Sequence, residues 1–250
     1  MSTPGLTPRV LFGHRIDVSK NAHYLTDDDV LYPCGKTLVV QNFTKNVQKS
    51  YSLPDKTNDV QLILLSPNRN LIGLLGTAEE GDVVHIFDVR SMKRLRTLYL
   101  PPDAIAKRIV SACFSHDERY VALITGDPDW MMLNYNWERG KIETSAKANY
   151  TTNPLYPVRE VVCSPVDNNT LVIFGNGIFR LMTLQEAVWR QYGFQKAENY
   201  DIHSACFLSA DRIVCGTKDG LLLIIDLGEL KYIFEADVVD FFNIRAEKEE

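Results

Sequence analysis

The chain has 250 residues, 45% of them hydrophobic, and a formal net charge of −5. That apolar content suffices for one domain with a full core, or most of one, while the acidic balance (pI ≈ 5.6) argues against a general nucleic-acid binder, which carries a basic domain or stripe. No apolar stretch approaches the roughly 18 residues of a membrane span, and the first eight residues are polar with two prolines rather than leader-like. The expected partners therefore include neither nucleic acid nor membrane, and the expected compartment is the cytoplasm.

In chain order, Val10-Leu11-Phe12 is a short apolar run that fits an outer strand completing the last sheet of a closed ring. Four strand candidates follow at 22–25, 30–33, 37–42 and 47–53, divided by Asp27-Asp28-Asp29, Cys34-Gly35 and Thr44-Lys45-Asn46. The next unit, with strands expected at 60–65, 71–76, 83–88 and 94–100, opens a phrase that recurs. Leu65-Ser66-Pro67-Asn68 closes its first strand, and Phe114-Ser115-His116-Asp117, Cys163-Ser164-Pro165 and Phe207-Leu208-Ser209 close the first strands of three later copies. Ser66, Ser115 and Ser164 lie 49 residues apart, slightly above the about 40–45 of a WD repeat. Four short strands per unit is the content of one propeller blade.

Between second and third strands come Gly81-Asp82, Gly126-Asp127, Asn176-Gly177 and Asp219-Gly220, residues that accept the positive φ of a tight hairpin. The third strands end in Phe87-Asp88, Tyr135-Asn136-Trp137, Met182-Thr183 and Ile225-Asp226, where a WD repeat places its Trp-Asp pair. Strand alternation puts Leu62, Leu64, Ala112, Phe114, Val161, Cys163, Ala205 and Phe207 on core-facing positions. The fold class predicted is all-β, a WD40-type β-propeller of about five blade units forming an incomplete ring of a larger propeller. Its divisions are an amino-terminal segment at 1–20, blades at about 21–56, 57–104, 105–152, 153–197 and 198–237, and a further strand (Val238 to Ile244) with a polar tail within 238–250.

Chemistry-bearing motifs are scarce. The histidines His14, His23, His85, His116 and His203 are scattered without metal-ligand spacing, and Asp27-Asp28-Asp29 lacks the alternating ligands of an EF-hand loop. Gly175-Asn176-Gly177 precedes a strand rather than a helix, so it is no phosphate cradle. Five cysteines, Cys34, Cys113, Cys163, Cys206 and Cys215, are an odd number without C-x-x-C spacing, and buried reduced thiols are the expectation. Trp137 is expected to pack between blades, and Trp189 to be half-buried against a neighbouring blade. No catalytic, cofactor-binding or metal-binding residue is predicted, and no cofactor. A channel-lining hydrolase would require convergent acids that no linear motif reveals.

The segments Val10-Leu11-Phe12-Gly13, Val30-Leu31-Tyr32-Pro33-Cys34-Gly35, Leu65-Ser66-Pro67-Asn68-Arg69, Asn153-Pro154-Leu155-Tyr156-Pro157-Val158, Gly175-Asn176-Gly177-Ile178-Phe179-Arg180-Leu181 and Ile213-Val214-Cys215-Gly216-Thr217 together resemble the amino-terminal propeller of the cilia- and flagella-associated protein 57 family. The resemblance implies a non-catalytic protein–protein interaction scaffold of the axoneme, with protein partners among inner dynein arms, regulatory complexes and doublet microtubules. It also implies a second propeller and a coiled coil, so that these 250 residues are expected to be a fragment, a short isoform or a truncated paralogue of that pattern. The alternative is a WD-repeat adaptor elsewhere, such as a ubiquitin-ligase substrate receptor, for which Phe87-Asp88-Val89-Arg90 is the nearest approach to the Trp-Asp-x-Arg ending of such receptors.

Overall fold

The serine that recurs at 49-residue spacing closes the first hairpin in the second, third and fourth sheets. Ser66, Ser115 and Ser164 are all buried. The Ser66 hydroxyl accepts the Leu71 amide at 2.9 Å, and that of Ser115 accepts the Tyr120 amide at 3.0 Å while donating to Asp117 at 2.7 Å. Ser164 accepts the amides of Val166 and Asp167 at 3.3 and 3.4 Å. Each serine amide also donates to the carbonyl that opens the next strand. The hydroxyl satisfies turn amides that the ladder cannot reach, which is the physical use of a short polar side chain there.

The structure, a computed structural model, describes residues 10–151, 153–192 and 195–235. It divides into two units, Met1–Pro101 and Pro102–Glu250. In the first, β1 (His23–Tyr24), β2 (Asp29–Cys34), β3 (Thr37–Asn42) and β4 (Val47–Ser52) pair in sequential antiparallel order, and β5 (Asp59–Leu65), β6 (Leu71–Ala78), β7 (Gly81–Asp88) and β8 (Arg94–Tyr99) form a second such sheet. The two share a core in which Leu31 and Leu38 meet Ile63, Ile72 and Leu74, with Val18 and Leu25 at its margin.

The second unit holds three sheets of the same order. They are β9 (Ile109–Phe114), β10 (Tyr120–Thr125), β11 (Met131–Asn136) and β12 (Lys141–Lys147); β13 (Val158–Cys163), β14 (Thr170–Gly175), β15 (Ile178–Gln185) and β16 (Val188–Tyr192); and β17 (Ile202–Phe207), β18 (Arg212–Thr217), β19 (Leu221–Asp226) and β20 (Glu229–Glu235). The run Leu171-Val172-Ile173-Phe174 in β14 explains the stacking. Successive side chains point to opposite faces; Leu171 and Ile173 enter a core with Ala122, Ile124 and Met132 of the third sheet. Val172 and Phe174 enter another with Ile213, Cys215 and Leu223 of the fifth. A strand covered on both faces reads as a continuous apolar run. Within each unit the face-to-face stacking of four-stranded antiparallel sheets is consistent with propeller-like blades. The only helical element among the described residues is the 3-10 turn Gln195–Asn199, and no helix there is long and apolar enough to cross a membrane.

Several expectations are corrected. Residues 10–12 form no strand: the Leu11 amide donates to the Gln48 side chain and the Cys34 thiol to the Phe12 carbonyl, so this stretch lies over the first sheet. The fifth sheet has four strands of its own, β17 to β20, without it. The first strand shrinks to two residues because Ser19, just ahead of it, pairs with Gln61 and Ile63 of the second sheet. Gly177 (φ 64°) and Gly220 (φ 78°) take the positive φ expected of them, but Gly126 does not. Its turn is instead made by Trp130 (φ 46°), whose amide returns to the Gly126 carbonyl at 3.0 Å. Of the core-facing positions, Leu62, Leu64, Ala112, Phe114 and Val161 are buried, whereas Cys163, Ala205 and Phe207 are half-buried. The further strand expected at 238–244 lies outside the described residues.

Candidate interaction surfaces

The second unit is tied between sheets by polar and covalent contacts as well as by packing. Cys113 of β9 and Cys163 of β13 form a disulfide, with Cα atoms 6.2 Å apart at a sequence separation of 50. This overturns the expectation of reduced thiols for Cys113 and Cys163, whereas Cys34, Cys206 and Cys215 are free thiols, of which only Cys215 is buried. Beside it the Val161 amide donates to Ser111 at 3.2 Å. At the far edge Trp189 of β16 is buried, and its indole donates to Thr144 of β12 at 2.9 Å, so Trp189 fastens two neighbouring sheets and is no exposed anchor. Trp137 is half-buried, its indole donating to the Glu118 carbonyl at 2.5 Å within its own sheet.

The fifth sheet is covered on one face only. Ile213, Cys215, Leu223 and Ile225 pack against the fourth sheet. The register places Cys206, Val214, Ile224 and Tyr232 side by side on the opposite face, with Leu222 beside Phe234 one step along. Tyr232 and Phe234 are 60% and 52% exposed and stack with centroids 6.3 Å apart. Among the described residues nothing covers this row. Contiguous exposed apolar surface of this kind marks an interaction site or an aggregation hazard. The Cys206 thiol on it is exposed, whereas burial pushes the Cys215 thiol up to about 12.

The first unit carries a groove of about 1170 Å³. Its floor is the face of the first sheet that carries Val30 and Tyr32 of β2 and Gln41 of β3, the partner of Val30, and the exposed rings of Phe12 and Phe43 line it as a rim. Phe12 is 90% exposed and Phe43 62%. Gln48 holds the rim in place by accepting from and donating to the Leu11 backbone at 2.8 and 3.2 Å, and it also donates to the Tyr32 hydroxyl at 3.1 Å. His14 meets the Tyr32 ring edge-on at 5.8 Å. An apolar floor with a few convergent polar groups is the general form of a recognition site. The sequence contained its parts, but nothing in strand periodicity indicated that residues 10–14 would fold across β2 to β4.

The other residues singled out serve the fold. His85 is buried in β7, with Nε2 2.8 Å from the Thr57 hydroxyl and Nδ1 2.9 Å from that of Thr97. Burial, and then the nearby Arg94, hold its pKa down to about 4, so it is a neutral core histidine. Asp29 accepts from Thr26 and Asn42 at 3.0 and 2.8 Å, bonds that lower its pKa, and the aspartate triplet thus forms a hairpin turn. Asp88 of the Phe87-Asp88-Val89-Arg90 stretch caps the following turn, accepting the Ser91 amide at 2.7 Å and its hydroxyl at 2.5 Å. His203 lies 3.4 Å from Asp201, which Arg159 also grips at 3.0 Å; burial alone would raise the Asp201 pKa, but these partners lower it. Among the described residues no group of three or more His, Cys, Asp or Glu is placed to hold a metal.

No protein-family profile matches the chain. Over 93% of its length it is 28% identical to mouse cilia- and flagella-associated protein 57. The chain resembles the cilia- and flagella-associated protein 57 family. A second relative, cilia- and flagella-associated protein 57 C of Tetrahymena thermophila, is 22% identical over 72% of the chain. The matched region spans 18% of the mouse relative and 14% of the Tetrahymena one, so the chain corresponds to a small part of either.

Proposed function

We propose that the chain is a non-catalytic protein–protein interaction scaffold of the ciliary or flagellar axoneme, built of WD40-type propeller blades that form an incomplete ring. The observation that carries this reading is the similarity to two cilia- and flagella-associated proteins, over 93% of the chain for one and 72% for the other, joined to sheets that stack face to face within each unit. Stacked four-stranded meanders, three of them with a buried serine at the first hairpin, support the blade assignment. The groove on the first sheet supplies a docking surface on a rigid base, the setting in which loops become fixed binding sites. The partners proposed are axonemal, at the inner dynein arms, the regulatory complexes or the doublet microtubule.

A tagged copy of the full chain, expressed in ciliated cells and followed through detergent extraction of the cilium, tests the reading. The expected result is ciliary signal that stays with the axoneme after the membrane and matrix are removed. A signal confined to the cell body, or released completely by detergent, would refute it.

A further inference from the structure

We propose that the free edge of β20 pairs with the same edge of a second copy of this chain, antiparallel about a two-fold axis at Ile233, so that two fifth sheets join into one. β20 is the last strand of its sheet, hydrogen-bonded to β19 alone. Such an edge offers a row of backbone donors and acceptors to another chain, and proteins ordinarily blunt it with charge. The other outer strands follow that rule: Lys49 stands in β4, Arg94 and Arg96 flank Leu95 in β8, Glu143 lies in the middle of β12, and Arg190 in that of β16. β20 departs from it. Its last five residues, Lys231 to Glu235, are all exposed, and Tyr232, Ile233 and Phe234 at their centre are 60%, 48% and 52% exposed. No other outer strand among the described residues sets two exposed large apolar side chains next to each other.

The charges choose both the occupant and the register. Centred on Ile233, the pairing sets Lys231 opposite Glu235 of the second copy and Glu235 opposite its Lys231. Between them Tyr232 stands opposite Phe234, on the face that carries Val214 and Ile224. Opposite charges and aromatic pairs facing each other across strands are stabilising, whereas like charges there are destabilising. Moving the axis one residue, to Tyr232, would set Glu229 against Glu235 twice. The strand is therefore complementary to itself in the Ile233 register, as an isologous two-fold contact requires. Lys231 pairs with Glu229 of its own strand in the single chain, but an ammonium has three donors and can take a second carboxylate. Five residues a side are fewer than a stable interface needs, so the dimer is weak and depends on concentration. An extended peptide of another protein is the competing occupant, and it would leave the isolated chain monomeric.

Sedimentation equilibrium of the purified full chain, taken up to about 100 μM because the contact is small, tests the pairing by charge reversal. The parent is expected to form a dimer that Lys231→Glu alone or Glu235→Lys alone weakens at least about tenfold, since each sets like charges opposite each other twice. An equimolar mixture of the two variants, in which every facing pair is again of opposite sign, is expected to dimerise as the parent does. A chain that stays monomeric across the range would overturn the proposal and leave the edge to another protein's peptide. A dimer that withstands both reversals, or that the mixture fails to restore, would overturn it too, by placing the contact on another surface or in another register. Should circular dichroism show that a reversal unfolds the chain, Ile233→Cys in a chain carrying Cys34→Ser and Cys206→Ser decides instead. Facing Cα atoms of antiparallel neighbours lie about 4.5–5.5 Å apart, within disulfide reach, so oxidised glutathione is expected to link two copies through position 233. Absence of that link would overturn the proposal.

Discussion

Phe174 and Ile173 are neighbours in β14 with no exposed surface, and they point into different cores. Replacing Phe174 by Ala removes about 100 Å² of buried apolar surface, roughly 2.5 kcal/mol at ~25 cal/mol per Å². The unrelaxed cavity adds to this, which brings the expected loss to about 3–5 kcal/mol. Ile173→Ala is expected to lose about 2–5 kcal/mol on the same reasoning. Both matter against a total stability of about 5–15 kcal/mol. Trp130, Trp137 and Trp189 all lie in the second unit, so urea unfolding followed by tryptophan fluorescence reports on that unit. Two large losses are the signature of a sheet packed on both faces. If either substitution changed stability by less than about 1 kcal/mol, that face of the fourth sheet would be solvated and the stacking of three sheets would be wrong.

Three further outcomes follow from named contacts. Ser115→Ala leaves the Tyr120 amide and Asp117 without the hydroxyl they share, and should destabilise the second unit by about 1–3 kcal/mol in the same urea assay. Reducing the Cys113–Cys163 disulfide opens a loop spanning 50 residues; loop-closure entropy predicts a loss of up to about 4 kcal/mol, read as a lower urea midpoint with dithiothreitol and absent from Cys113→Ser. The pKa of His85 is 6.5 unfolded and about 4 folded. The unfolded chain therefore binds the extra proton first, and stability falls as pH drops from about 6.5 towards 4. His85→Gln should flatten that part of the pH profile measured by circular dichroism, and an unchanged slope would mean that His85 is not buried neutral.

The strands were legible because alternation, turn residues and the serine period all agree: β3 spans the expected 37–42 and β5 starts one residue before its expected position. Trp189 was legible in its role between neighbouring sheets, though it is buried more deeply than expected. What was not legible depends on contacts across sheets. Cys113 and Cys163 stand at different steps from their turn serines, Ser115 and Ser164, so the repeat gave no reason to pair them, and only the packing of β9 beside β13 brings them together. The rim of the groove was missed because residues 10–14 are held by Gln48 and by backbone bonds, not by a ladder that periodicity reveals. Gly126 misled because a glycine permits positive φ without requiring it, and Trp130 takes that role in its turn.

Docking to the axoneme through the first-unit groove is most directly tested by co-sedimentation of the purified full chain with detergent-extracted axonemes. Saturable pelleting is expected, and Phe12→Asp with Phe43→Asp should abolish it while leaving the melting curve unchanged, because both rings are largely exposed. A chain that stays in the supernatant at every axoneme concentration, or one that pellets equally well with both phenylalanines replaced, would contradict it.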